Sequence, residues 1–246
     1  MEIRTYFHAT ETEVVAKKFN IYIGISLGNH FFSKKRLQAY ILWALEHTRE
    51  SVLIVIADSN HAVNIEVMKG CSPEAALARA LQQGMQCEEM VRSIVSGLPT
   101  VTQGKIQIIH WDEVRKSVYH QKHILEILNA FQTDPNFHNA IIRIVQENLG
   151  EKVALFGQVE LEKLARYVLD ELPVLVNGIE YHGVVYGLLL YPGLSSLDDL
   201  IVGLHDKTVF HSLAGSLNAT NEIAVVEAYV EDKKGNEPKG KPEKLV

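Results

Sequence analysis

Short apolar runs alternate with longer amphipathic ones along most of this chain. That is the pattern of βαβ units and a largely parallel sheet. Asn20–Ser26 (NIYIGIS) reads as a strand buried on at least one face, and residues 52–58 (VLIVIAD) as one buried on both. Between them, Leu37, Tyr40, Ile41, Ala44 and Leu45 recur at helical spacing and predict a helix over Lys34–His47. Ser72, Pro73 and Glu74 supply an N-cap, an N1 proline and an early acid for a helix running to Val95. Gly97, Leu98 and Pro99 end it, and residues 105–111 (KIQIIHW) form a third strand.

From residue 112 the texture becomes helical, with helices expected over 112–131, 136–149 and 158–172, the last stopped by Pro173. Strands follow over 183–191 and 223–230. The fold class is therefore α/β: a single Rossmann-like domain over residues 1–232, with a mostly parallel sheet and a helical second half. Residues 233–246 are rich in Lys, Pro and Gly and read as a disordered basic tail.

Composition narrows the function classes. Of 246 residues, 47% are hydrophobic and 22% charged, a globular balance. The net charge is −6, and the tail's five lysines and two glutamates contribute +3, leaving −9 on the body. Such a body is no general nucleic-acid binder, although it leaves room for a local basic patch. Cys71 and Cys87 are too few for a disulfide framework and point to a reducing compartment. The start has no apolar signal region, and the longest apolar stretch, 183–194, is too short to span a bilayer. A soluble cytoplasmic protein is expected.

Ser26 lies in a Gly-x-Ser-x-Gly sequence, Gly24 to Gly28, where the first of these strands turns. Small flanking residues at such a turn let a serine oxygen project above a sheet, although an ordinary glycine turn has the same composition. A serine esterase would complete its chain order with Asp198 and His205, but too few residues precede Gly24 for the usual oxyanion loop. Ser26 stands where a dinucleotide fingerprint needs its middle glycine. Metal-ligand spacing is thin: His120 and His123 lack a third partner and read as a solvated helix face. Tyr167 and Glu171, four apart, share one helix face and suit an ammonium group or a proton relay, or a plain surface pair. Tyr191 followed by Pro192 closes an apolar strand.

Taken in order, these segments resemble the cyclodipeptide synthases, which join two aminoacyl-tRNAs into a diketopiperazine. Residues 23–36 (IGISLGNHFFSKKR) resemble the family's nucleophile segment, with Ser26 as catalytic serine and Gly24 and Asn29 as its pocket neighbours. Residues 166–173 (RYVLDELP) are similar to the second signature and place Tyr167 and Glu171 on the family's Tyr/Glu pair. Tyr191 takes the third signature position, and Asn148 looks like a further active-site asparagine. Tyr22, Val55, Val174 and Leu189 are similar in position to residues lining the pocket for the first amino acid. Pro192 is similar to the Tyr-Pro branch of the family, whereas Asn29 is more typical of the other branch.

The resemblance implies a fold like the catalytic domain of class I tyrosyl- and tryptophanyl-tRNA synthetases. It also implies a ping-pong reaction through aminoacyl and dipeptidyl esters on Ser26. The substrate ester is already activated, so no ATP, cofactor or metal is expected, and the enzyme is taken to act as a monomer away from membranes. The helix Pro73–Val95 carries only Arg79 and Arg92 among several acids. The tRNA surface is therefore expected at Lys34, Lys35 and Arg36, with Arg115, Lys116 and Lys122 as further candidates. The competing readings are a serine esterase and a tRNA-binding protein without catalysis.

Overall fold

A computed structural model describes residues 1–231; the tail expected at 233–246 lies outside the described residues. In chain order the elements are β1 (Glu2–Phe7), α1 (Glu11–Val15), β2 (Asn20–Ser26), α2 (Lys34–His47), β3 (Val52–Ala57), α3 (Ala62–Lys69), α4 (Pro73–Val95) and α5 (Thr100–Gln103). There follow β4 (Ile106–His110), α6 (Trp111–Arg115), α7 (Val118–Thr133), α8 (Pro135–Leu149), α9 (Gln158–Leu175), β5 (Ile179–Tyr181), β6 (Val184–Tyr191), α10 (Ser196–His205), α11 (His211–Leu217) and β7 (Ala224–Tyr229).

The sheet runs in the order β1-β7-β6-β2-β3-β4, with β5 paired to β6. Pairs β7–β6, β6–β2, β2–β3 and β3–β4 are parallel, and β1 closes the β7 edge antiparallel. β3 is buried along its whole length, as its unbroken apolar run requires of a strand covered on both faces. One apolar core lies on the sheet and gathers β2, β3, β6 and β7 with α2 and α4. A second is built among α7, α8, α9, α10 and α11, so the helical second half packs as its own layer.

Several elements differ from the sequence expectation. β1 was not expected, because an edge strand needs only one apolar face and its alternation with Glu2, Arg4 and Thr5 is weak. The helix expected over 112–131 is two: Ser117 accepts from the His120 amide at 3.3 Å and starts α7 afresh. Pro173 does not stop α9. It forfeits one hydrogen bond in the final turn, while Val176 N–H still donates to Leu172 O at 3.0 Å and Val174 stays buried. No helix among the described residues is long and apolar enough to cross a membrane.

Strand order reverses at β2: the chain leaves it towards β3 and β4 on one side and later returns through β6 on the other. In parallel sheets the crevice at such a switch point, above the carboxyl ends of the strands, is where ligands bind. Ser26, Ala57 and Tyr191 are the last residues of β2, β3 and β6, and all three open onto that crevice.

Candidate active site

The register of three adjacent strands builds the floor. Tyr22, Gly24 and Ser26 alternate with core residues on β2 and so share one face. Gly24 pairs with Val55 and Ser26 with Ala57 on β3, while Tyr22 pairs with Leu189 on β6. All of them line one cavity, which opens to solvent. A methyl on Gly24 would meet Leu189 Cδ1 at 3.7 Å, so glycine here leaves room that any side chain would take from the cavity. Just beyond Ser26, Gly28 has φ +76°, a left-handed conformation that suits glycine and lets the chain turn sharply.

Tyr167 and Glu171 come from α9, one turn apart, and face the same cavity. The Ser26 and Tyr191 hydroxyls lie 2.9 Å apart. Tyr167 is hydrogen-bonded to both Ser26 and Glu171. Burial, and then the Glu171 carboxylate, push the Tyr167 phenol well above its ordinary pKa; burial does the same to Tyr191. Both phenols therefore stay protonated at neutral pH and serve as donors or relays. Burial also raises the Tyr22 phenol, with Glu171 and Asp198 adding to it.

Asn29 lies outside the lining and acts one step back. Its Oδ1 accepts from Phe31 N–H at 2.9 Å, which caps a short 3-10 turn, and its buried amide nitrogen makes no hydrogen bond among the described residues. Phe32 from the same turn packs edge-on against Tyr191, with ring centroids 5.7 Å apart. The turn after Ser26 thus braces the Tyr191 ring through Phe32.

Asn148, at the end of α8, and Val174, on the last turn of α9, complete the expected lining. Sequence reasoning missed Trp111, Val168, Leu197 and Ile201, and considered Asp198 only as an esterase acid; all five line the same cavity. They come from α6, α9 and α10, and only tertiary packing brings them to β2. Trp111 is held by its indole N–H, which donates to Asp170 at 2.6 Å. Asp170 also accepts from Arg115 Nη2 at 2.8 Å and from His120 Nε2 at 2.9 Å.

Other expectations are corrected. His120 and His123 are buried, not on a solvated face; His120 serves Asp170, and burial lowers the His123 pKa. Arg36 does not stand in the solvent beside Lys34 and Lys35: it is 6% exposed, donates to His30 O at 3.3 Å and stacks on Phe31. The esterase order Ser26, Asp198, His205 does not assemble, because the His205 ring nitrogens face Asp206 and the Asn221 carbonyl and the residue does not line the cavity. Arg115 is engaged by Asp112 as well as Asp170.

Among solved structures, the chain is similar to a cyclodipeptide synthase from Staphylococcus haemolyticus, with 18% identity, a TM-score of 0.70, and coverage of 91% of this chain and 97% of that one. It is also similar to one from Candidatus Glomeribacter gigasporarum bound to Phe-tRNAPhe, with 18% identity, a TM-score of 0.60, and coverage of 89% and 91%. A tyrosyl-tRNA synthetase from Archaeoglobus fulgidus shares the fold more loosely, at 11% identity and a TM-score of 0.50, over 87% of this chain and 56% of that one. No curated protein sequence matches the chain. The family model for cyclodipeptide synthase matches residues 5–209, well over half of the chain, and with this match the chain belongs to the cyclodipeptide synthase family.

Proposed function

We propose that this protein joins two aminoacyl residues from aminoacyl-tRNA into a cyclodipeptide, through successive esters on Ser26. The observation that carries the reading is the hydroxyl chain on the cavity floor: Tyr191, Ser26 and Tyr167 in hydrogen-bond contact, ending at Glu171. The proton directions follow from the chemistry of each group. A carboxylate only accepts, so Tyr167 donates to Glu171; its oxygen is then free to accept from Ser26. With the Ser26 proton turned to Tyr167, Tyr191 donates to Ser26.

In the first step Ser26 Oγ attacks the ester carbonyl of the first aminoacyl-tRNA, and the bond to the ribose oxygen breaks. The serine proton moves through Tyr167 towards Glu171, and a proton is returned to the departing ribose oxygen. Tyr191 and the backbone N–H groups after Ser26 are the proposed donors to the charge that develops on the carbonyl oxygen. The amino group of the bound residue next attacks the ester carbonyl of a second aminoacyl-tRNA; the bond to its ribose oxygen breaks, the tRNA leaves with a proton on that oxygen, and a dipeptidyl ester remains on Ser26. The new terminal amine then attacks that ester, closes the six-membered ring and frees Ser26. Each attacking amine must lose a proton, and Glu171, oriented by Tyr167, is placed to take it.

The cavity lining explains how side chains are held. It is largely apolar, with Tyr22, Val55, Val174, Leu189 and Trp111 around Gly24. Such a wall sorts residues by volume, about 1–3 kcal/mol per excess methylene. Tyr22 and Trp111 are large, so the reading favours a small first residue. Lys34 and Lys35, exposed on α2 just past the nucleophile turn, are the proposed phosphate contacts for tRNA.

The test is mass spectrometry of products from purified protein incubated with two charged tRNAs. The reading expects a diketopiperazine that depends strictly on charged tRNA. Turnover of simple esters at a comparable rate without tRNA, and no cyclic product, would support an esterase instead.

A further inference from the structure

Outside the cavity, His8 meets the adjacent pair His205 and Asp206, about two hundred residues further on, where the end of β1, the end of α10 and the segment leading into β7 come together. His8 Nε2 lies 2.9 Å from Asp206 Oδ2, and His205 Nδ1 lies 2.8 Å from Asp206 Oδ1. The second nitrogen of each ring is also committed: His8 Nδ1 faces Ile223 O at 3.0 Å and His205 Nε2 faces Asn221 O at 2.7 Å. None of the three residues lines the cavity.

The proton count is the unusual feature. Backbone carbonyls only accept, so His8 Nδ1 and His205 Nε2 carry the N–H of a neutral ring. The other two nitrogens are then lone pairs, and both point at a carboxylate that also has only lone pairs. Protons could fill both gaps only by making two imidazolium rings, with centroids 5.2 Å apart, share one carboxylate. A single divalent cation fills both gaps at once. It takes two neutral imidazoles in the tautomers that the carbonyls already impose, the outer-shell arrangement typical of metal-bound histidine.

The geometry points to a divalent transition-metal site, of the zinc class, formed by His8, His205 and Asp206. Their ligand atoms all lie within 4.8 Å of one another. Around a tetrahedral ion with bonds of about 2.0–2.1 Å, neighbouring ligand atoms stand about 3.3 Å apart, so the two His–Asp pairs, at 2.9 and 2.8 Å, need to spread by about half an ångström. Two imidazoles with one carboxylate suit zinc, cobalt or nickel rather than magnesium or calcium, which prefer oxygen ligands. The side chains are 29%, 15% and 37% exposed for His8, His205 and Asp206, which leaves a face open to water as a fourth ligand. His8 has φ +59°, uncommon for a residue with a side chain. A bound ion would clip the end of the edge strand β1 to α10, the helix that carries Leu197, Asp198 and Ile201 into the cavity wall. The site is a structural clip, independent of the acyl-transfer reading.

The test uses the full chain, stripped with a chelator and titrated with Zn2+ by calorimetry and with Co2+ by visible absorption. One equivalent of Zn2+ should bind and raise the unfolding temperature. Co2+ should give the strong absorption of a four- or five-coordinate ion. His8→Gln and His205→Gln should each weaken Zn2+ binding by at least about tenfold and abolish the thermal shift. His182→Gln, at an exposed turn, should leave both unchanged. Should a histidine variant fail to fold, the wild-type Co2+ spectrum and Zn2+ stoichiometry decide alone. No saturable Zn2+ binding by the wild type, a six-coordinate Co2+ spectrum, or unchanged affinity in both folded variants overturns the site.

Discussion

Asp170 holds the cavity wall from behind, and replacing it by Asn tests that role quantitatively. Its carboxylate accepts from Trp111 Nε1 at 2.6 Å, from Arg115 Nη2 at 2.8 Å and Nε at 3.2 Å, and from His120 Nε2 at 2.9 Å. Asn keeps the shape but removes the charge and turns one acceptor into a donor, which then faces another donor. Breaking a buried charged pair from one side costs about 3–5 kcal/mol. Arg115 is 39% exposed and regains water, so the expected loss at neutral pH is smaller, about 2–3 kcal/mol. For a chain of this length that corresponds to a fall of about 4–12 °C in Tm.

The pH dependence supplies a second check on Asp170→Asn. Burial pushes the Asp170 carboxyl up, but its hydrogen bonds and charge interactions with His120 and Arg115 outweigh this and hold its pKa below the ordinary value. A depressed folded pKa means that the stabilisation is present above the unfolded value and is lost as pH falls through the folded one. The gap between wild type and Asp170→Asn should therefore hold from pH 7 down to about 4 and narrow below that. Equilibrium urea unfolding of both proteins across this range reads it directly. The variant should also broaden side-chain selectivity, because Trp111 loses its anchor. A stability difference below about 0.5 kcal/mol at pH 7, or a gap that stays constant into acid, would refute the reasoning.

Three further outcomes follow from the site. Tyr22→Leu should shift the product mixture towards larger first residues by at least about tenfold, whereas Tyr22→Phe should not; liquid chromatography with mass spectrometry of competing substrates reads the ratio. Glu171→Gln should impair dipeptide formation far more than the affinity for charged tRNA, so comparable losses in single-turnover rate and in binding would contradict its role as proton acceptor. Reversing Lys34 and Lys35 to Glu should weaken tRNA binding and reduce its salt slope by about two, and a silent double variant would move the tRNA surface elsewhere.

Much of this architecture was legible in the sequence because burial writes itself into apolar runs. β3 is apolar throughout since both its faces are covered, and the turn at Ser26 shows in the spacing of Gly24 and Gly28. Tyr167 and Glu171 were recognisable as partners because four residues make one helical turn. What escaped depended on tertiary packing. Trp111 and Asp198 reach the cavity from distant helices, and nothing local distinguishes them from core or capping residues. The burial of His120 and Arg36 follows from Asp170 and Phe31, neither of which a charge pattern identifies as a partner. The apparent triad of Ser26, Asp198 and His205 was an accident of order in a chain with eleven histidines. β1 was hidden because an edge strand presents polar residues to water.

The central claim is that Ser26 carries the growing product, and intact-mass spectrometry tests it most directly. The protein is mixed with one charged tRNA, quenched in acid and weighed. The account predicts a mass increase equal to one aminoacyl group, mapped by peptide fragmentation to Ser26 and absent from Ser26→Ala, whose fold is unchanged by circular dichroism. An aminoacyl adduct of the same yield on Ser26→Ala, or cyclic product formed by that variant at the wild-type rate, would contradict it.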